Sequence, residues 1–190
     1  MAEGAVFILI VSFILIGIFW LFNITSIDPR IIITFIVLLL IPGFYAAFTS
    51  GPFVPSSRKR HKTMLDLANL KPSDVIYDLG CGDGRLVFLA AKFCQKAIGY
   101  ELSVPLYIFG KIREIFNKKN AKIKYGNIWT QNYDDANVIF CYLLPKAMKQ
   151  FYKEVWPKLK PGTKVISNAF EIHEVKSTKK EGKVYLYVKK

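Results

Sequence analysis

The chain has 190 residues, 27 Lys/Arg against 14 Asp/Glu, and a formal net charge of +13. That length suits one domain of ordinary size plus an appendage. Its three cysteines (Cys81, Cys94, Cys141) lack metal-ligand spacing and its two histidines (His61, His173) lie far apart, which excludes a zinc centre and reads the thiols as packing residues of a reduced domain.

Two runs without charge open the chain, residues 5–22 and 31–48. As helices, 18 residues rise roughly 27 Å, enough to cross a hydrocarbon core of about 30 Å. The start, Met1-Ala2-Glu3-Gly4, lacks a basic region and no small-residue cleavage site follows Trp20, so the first run is expected to be retained rather than removed as a signal peptide. All but one of the Lys/Arg and all but two of the Asp/Glu lie beyond residue 48. The expectation is a transmembrane hairpin, residues 1–48, followed by a linker and helix over 49–71 and a basic domain over 72–190. Arg58-Lys59-Arg60-His61-Lys62 follows the second run, which places both termini and the domain on the cytosolic side, or the matrix side in an organelle. Phe19, Trp20, Phe22, Phe44, Tyr45 and Phe48 sit where interfacial aromatics would, and Pro42-Gly43 is a candidate kink. Asn23-Ile24-Thr25 matches a glycosylation sequon by chance, since it would abut the membrane.

Thr49–Ser57 is a Pro/Ser-rich linker that Pro52 and Pro55 keep extended. A helix is predicted over 58–69, with Met64, Leu65, Leu67 and Ala68 as its apolar stripe. Beyond it strands (75–79, 97–101, 122–125, 137–142, 163–168) alternate with helices (85–93, 104–118, 145–158). Alternation at this spacing predicts a parallel sheet with helices on both faces. Ala169–Ser177 and Lys183–Lys189 read as a closing antiparallel hairpin around the polar turn 178–182, the second strand carrying the β-prone Val184-Tyr185-Leu186-Tyr187-Val188.

The densest chemistry is Asp78-Leu79-Gly80-Cys81-Gly82-Asp83-Gly84, between the first predicted strand and a helix. Strand, glycine turn and helix form a cofactor site at the carboxyl end of a first strand. Glu101 ends the second strand, where a carboxylate can take two ribose hydroxyls. Gly80-x-Gly82-x-Gly84 lacks the third-glycine spacing of a dinucleotide fingerprint. Asp78, two residues before the first glycine, would repel a pyrophosphate but attract an ammonium. The chemistry points to S-adenosylmethionine.

On these residues the chain resembles the class I, seven-stranded S-adenosylmethionine-dependent methyltransferases, over roughly residues 72–190. More narrowly, Pro52–Ser56, Val75–Arg85, Gly99–Ser103 and Asn127-Ile128-Trp129 resemble the small membrane-anchored protein lysine methyltransferases, a group that includes the mitochondrial enzyme modifying the c-subunit of ATP synthase, and their soluble archaeal relatives. The chain departs from that pattern at Cys81, Ser103 and Asn127, where the family often has Ser, Asn and Asp. It also predicts two spans rather than one. The resemblance implies a Rossmann-like sheet, mostly parallel with a C-terminal antiparallel hairpin. It implies S-adenosyl-L-methionine held by Asp78, Gly80, Cys81, Gly82, Gly84 and Glu101, with Asn127 and Ile128 meeting the adenine. It also implies a methyl-transfer site lined by Tyr142 and Pro145. Asp83 fits ligand contact or helix capping equally. Phe53, Val54 and Pro55 would fold over the cofactor, and Asn168, Glu171 and His173 are candidates for the acceptor channel.

Methyl transfer requires alignment and exclusion of water rather than a metal or a covalent residue. The expected acceptor is a lysine of a membrane-proximal protein. A lipid or quinone-like acceptor is the alternative within the enzyme class, and a non-catalytic S-adenosylmethionine-binding module the alternative outside it. The basic surplus suits a bilayer with anionic headgroups. No recognition motif points to nucleic acid, and no feature sets an oligomeric state.

Overall fold

The computed structural model describes Gly17 and residues 28–49, 56–117 and 120–190, with the side chains of the first helix described as far as Tyr45. The chain divides after Leu39 into two units. Helix α1 covers Pro29–Thr49 and contains Pro42. Its start is held by Asp28, whose carboxylate accepts from the Arg30 amide at 2.8 Å, a capping bond. The first expected span, 5–22, lies outside the described residues apart from Gly17, and the second falls on α1. Among the described residues no helix is long and apolar enough to cross a membrane. The part of α1 with described side chains, Pro29–Tyr45, is roughly 25 Å of helix at ~1.5 Å per residue. The second expected span is thus not found as a membrane-crossing helix among the described residues, and the first lies outside them.

The remainder builds the predicted sheet. Helix α2 (Arg58–Ala68) is capped by Ser57, whose Oγ accepts from the Arg60 amide, and it buries His61, Met64, Leu67 and Ala68. The elements that follow are β1 (Val75–Leu79), α3 (Arg85–Ala90), β2 (Lys96–Glu101), α4 (Val104–Ile115), β3 (Ala121–Tyr125), a 3₁₀ turn (Ile128–Thr130), β4 (Val138–Cys141), α5 (Pro145–Glu154), a second 3₁₀ turn (Trp156–Lys158), β5 (Lys164–Asn168), β6 (Lys179–Glu181) and β7 (Val184–Val188). The strand order is β3-β2-β1-β4-β5-β7-β6. The first five strands pair in parallel and β7 pairs antiparallel with both β5 and β6.

Alternation along the strands feeds two cores. Tyr77, Leu79, Ile98, Tyr100, Ile139 and Cys141 pack with Met148 and Phe151 of α5. Ile76, Ala97, Val138, Phe140 and Ile166 pack on the other face with Met64 of α2 and with Leu86 and Val87 of α3. Strands buried on both faces explain the near-continuous apolar runs in the sequence.

The C-terminus corrects one expectation. Ala169–Ser177 is not a strand; the partner of β7 is Lys179–Glu181, inside the segment read as a turn. Those three residues are all exposed and all charged. They suit an outermost strand that must resist further pairing, and their polarity made them look like a loop. The 169–177 segment leaves the sheet at Ala169, which has φ 71°, and is fastened by the Tyr187 hydroxyl accepting from the Ile172 amide at 2.9 Å.

Candidate functional site

The sheet reverses its order between β1 and β4. Ligands of open α/β sheets sit outside the strand ends at such a point, and the sequence-predicted residues gather there. In the β1–β2 register Asp78 faces Gly99, and Glu101 lies two residues further on, so both carboxylates project from one face of the sheet.

The turn between β1 and α3 is set by backbone geometry. Gly80, Gly82 and Gly84 have φ of 75°, 58° and 77°, a region closed to most L residues. The amides of Gly80 and Cys81 both donate to the Tyr100 carbonyl at 3.0 Å, which ties the turn to β2. A Cβ on Gly80 would meet nothing within 4 Å, so the space above the turn is open. Cys81 points the other way. Its Sγ lies 2.5 Å from where a Gly99 Cβ would stand, and burial pushes its thiol well above the ordinary range. It packs the turn against the sheet rather than offering a nucleophile.

Three carboxylates are buried here, and each is held differently. Asp83 is paired with Arg85 at 2.7 Å and with Arg113 of α4 at 2.8 Å, and it also accepts from the Arg85 amide. Capping and ion pairing thus account for Asp83. Glu101 Oε2 accepts from the Gly82 amide at 2.8 Å, and its Oε1 accepts from the amides of Leu102 and Ser103 at 3.0 and 2.8 Å. A carboxylate offers about four acceptor positions, so a ribose would find roughly one of them open in this arrangement. The expected grip on two hydroxyls therefore needs one backbone bond to yield.

Asp78 differs from both. It is buried and accepts no hydrogen bond among the described residues. Burial pushes its pKa up to about 7, with Glu101 and Asp83 adding repulsion. A carboxylate this buried, with no donor from the protein, keeps little of its hydration, and a cation from outside the chain would relieve it. An open cradle over Gly80, a prepositioned Glu101 and an unmet negative charge on Asp78 fit a ligand with a sugar and an ammonium.

The other predicted residues are placed less directly. Asn127 Oδ1 is engaged by the Trp129 amide at 3.1 Å, capping the 3₁₀ turn; its amide nitrogen remains for a ligand. Ile128 is buried in the core with Tyr77, Tyr100 and Tyr133 and presents no exposed edge. Tyr142 follows β4 half-buried, stacked on Phe170 at 6.2 Å and 27°. Pro145 is exposed at the start of α5, a position that proline favours in any helix. Glu171 and His173 are exposed, with Glu171 facing Lys180 at 3.7 Å. Asn168 is fully buried at the end of β5; its Nδ2 donates to Ser56 Oγ at 3.1 Å while its Oδ1 has no donor. Phe53, Val54 and Pro55 lie outside the described residues. Sequence reasoning missed Arg113, thirty residues from the acid it pairs with, and Phe170; neither stands in a motif. Among the described residues no group of acids, histidines and cysteines could hold a metal ion.

Residues 78–179 match the family described as the ANTKMT methyltransferase domain. The chain is 34% identical over 154 residues to a protein-lysine N-methyltransferase of Saccharolobus islandicus, covering 72% of this chain and 92% of that protein. It is 28% identical over 121 residues to the ATP synthase C-subunit lysine N-methyltransferase of Mus musculus, covering 63% of this chain and 49% of that enzyme; the match thus spans about half the length of the mouse protein. Among solved structures, an RNA methyltransferase of Salinibacter ruber in complex with S-adenosyl-L-homocysteine superposes with a TM-score of 0.68 and 27% identity, covering 72% of this chain and 94% of that one.

Proposed function

The chain belongs to the ANTKMT methyltransferase domain family, with S-adenosylmethionine as its cofactor, and we propose that it methylates lysine side chains of a protein lying close to a membrane. The observation that carries the cofactor assignment to residues is Asp78, a buried carboxylate without a donor beside an open glycine turn. The lysine acceptor is supported by the names of the relatives. The membrane setting is supported by the uncharged runs 5–22 and 31–48 and by the basic run Arg58–Lys62, which also favour a catalytic domain on the cytosolic or matrix side.

In this reading Asp78 holds the ammonium of the cofactor and Glu101 a ribose hydroxyl. The backbone of Gly80, Gly82 and Gly84 leaves room for the methionine portion, and Asn127 meets the adenine. S-adenosylmethionine supplies an electrophilic methyl group on a sulfonium. The chain's own work is alignment and dehydration. Tyr142 and Phe170 form an aromatic wall beside the ends of β4 and β5, suited to the methylene stem of a lysine. The Asn168 carbonyl oxygen, buried without a donor, is an acceptor for the amine. A lysine must lose its proton before it can attack, and burial lowers its pKa, so no dedicated base is required.

The test incubates full-length protein with radiolabelled S-adenosylmethionine and native membranes, and then counts the protein, organic-solvent and RNA fractions separately. The expected result is label in a discrete protein band, on lysine after hydrolysis, absent with Asp78→Asn. Label in the solvent fraction would instead assign a lipid acceptor, and label in RNA would align the chain with the Salinibacter protein. Cofactor binding without transfer to any fraction would leave a binding module.

A further inference from the structure

We propose that the outer face of α4 is a docking surface for an anionic lipid bilayer. Ile108, Phe109, Ile112, Ile115 and Phe116 recur at helical spacing, and none is buried. Ile115 and Phe116 are the most open, at 77% and 83% exposure. An open groove of ≈ 440 Å³ runs along the helix between Tyr107, Ile108, Lys111, Ile112, Ile115 and Lys122. Exposed apolar stripes of this kind mark interaction sites. The turn after α3 adds half-exposed Phe93, and Asn120 ties that turn to the segment leaving α4 through bonds to the Ala91 and Cys94 carbonyls.

The charge around the stripe decides the occupant. Lys111 and Lys122 flank it, and the exposed Lys92 lies on the adjoining turn. Glu114, on the same helix, is consumed internally: it bonds Lys111 at 2.9 Å, Lys122 at 3.3 Å and the Ile123 amide at 2.8 Å. Arg113 is turned inward to Asp83, its guanidinium passing over Phe88 and Phe109. What remains outward is aliphatic and aromatic carbon bordered by Lys92 and by the Lys111–Glu114–Lys122 cluster, where two lysines share one glutamate and leave a net positive charge beside the apolar surface. Phe and Ile on one helix face with Lys at its margins is the composition of a helix lying in a headgroup interface. Anionic headgroups complement both this border and the +13 charge of the chain. The start of α4 also adjoins the second uncharged run, because the backbone at Gly43 lies against Ser103, the residue that precedes α4: a Cβ at Gly43 would stand 3.1 Å from Ser103 Oγ. The inference rests on the membrane reading above and adds which face of the domain meets the lipid.

The test attaches an environment-sensitive fluorophore at Ile115→Cys and, separately, at Phe116→Cys in the full chain. Both sites are open, and the three native thiols are buried. A control label at Lys149→Cys reports from an exposed site on α5, on the other face of the sheet. The protein is reconstituted with phosphatidylcholine vesicles containing or lacking phosphatidylglycerol, and some vesicles carry a nitroxide on the acyl chain. The expected result is blue-shifted emission and nitroxide quenching at 115 and 116 but not at 149, stronger with phosphatidylglycerol. If the protein floats with vesicles while both labels on α4 remain in water, the docking face is refuted and the membrane reading stands. If the protein does not float with either vesicle, both fall. Rapid disulfide cross-linking of two copies of the unlabelled Ile115→Cys variant, with no lipid quenching, would assign the face to self-association instead.

Discussion

At the scale of single residues, the site is defined by how three neighbouring carboxylates are satisfied. Asp83 has two arginines and Glu101 has three amides, whereas Asp78 has neither. The pKa of Asp78 is raised from 3.8 to about 7. Between those values the folded chain holds a proton that the unfolded chain has lost. The contribution of this group to stability is therefore full below about pH 4 and is lost as pH rises through about 7. Asp78→Asn removes that dependence. The ligand-free variant should melt higher than the parent at pH 8, with the gap closing at pH 5, in thermal scans across pH. The same variant should lose S-adenosylmethionine binding, since the ammonium loses its counter-charge. In the parent, calorimetry in buffers of different ionisation enthalpy should show proton release on cofactor binding below pH 7 and affinity rising with pH through that value. Glu101→Ala should behave differently. It deletes the acceptor of three backbone amides along with the proposed ribose contact, so affinity should fall by on the order of 10–100-fold and the melting temperature should drop as well. An unchanged melting temperature would mean that those amides find other partners.

At the scale of elements, the turn between β1 and α3, already tied to β2 through Tyr100 and Glu101, has two further contacts from distant chain positions. One is the close approach of Cys81 to Gly99, where an added methyl group would also stand 2.8 Å from Val87. Gly99→Ala should cost about 1–3 kcal/mol by overpacking in urea unfolding, and Cys81→Ala should recover part of that loss in a double-mutant cycle. The other is the Asp83–Arg113 pair, which couples the turn to α4. Arg113→Ala leaves Asp83 partly unpaired and should cost about 1–2 kcal/mol, with weaker cofactor binding because the turn loses its tether. At the other end of the sheet, β7 is held by β5 and by the Tyr187 bond to Ile172. Tyr187→Phe should strand a buried amide at a cost of about 1–3 kcal/mol, read by denaturant titration, without changing cofactor affinity.

At the scale of the whole molecule, both hydrophobic clusters draw their residues from Met64 onward. A chain lacking residues 1–39 should therefore fold and bind S-adenosylmethionine, as measured by circular dichroism and calorimetry; failure to fold would place the N-terminal segment inside the core. Five parallel strands and their helices were legible in the sequence because buried strands are written as short apolar runs and the turns between them carry glycine, proline and polar residues. Asp78, the glycine turn and Glu101 were legible because they are consecutive or end a strand, so local chemistry and spacing carry their meaning. The strand Lys179–Glu181 was not legible, because an outermost strand of charged residues has no apolar face to announce it. Nor could the sequence assign Asp83 to Arg113, leave Asn168 Oδ1 without a donor, or bring Tyr142 against Phe170. Those pairings join residues from different elements, and only the order in which the strands pack decides which of them meet. The sequence by itself determined the class of fold and the cofactor. The tertiary structure alone decided which acid is left unsatisfied and which face of α4 is left uncovered, because burial and charge balance belong to the packed chain and not to any local segment.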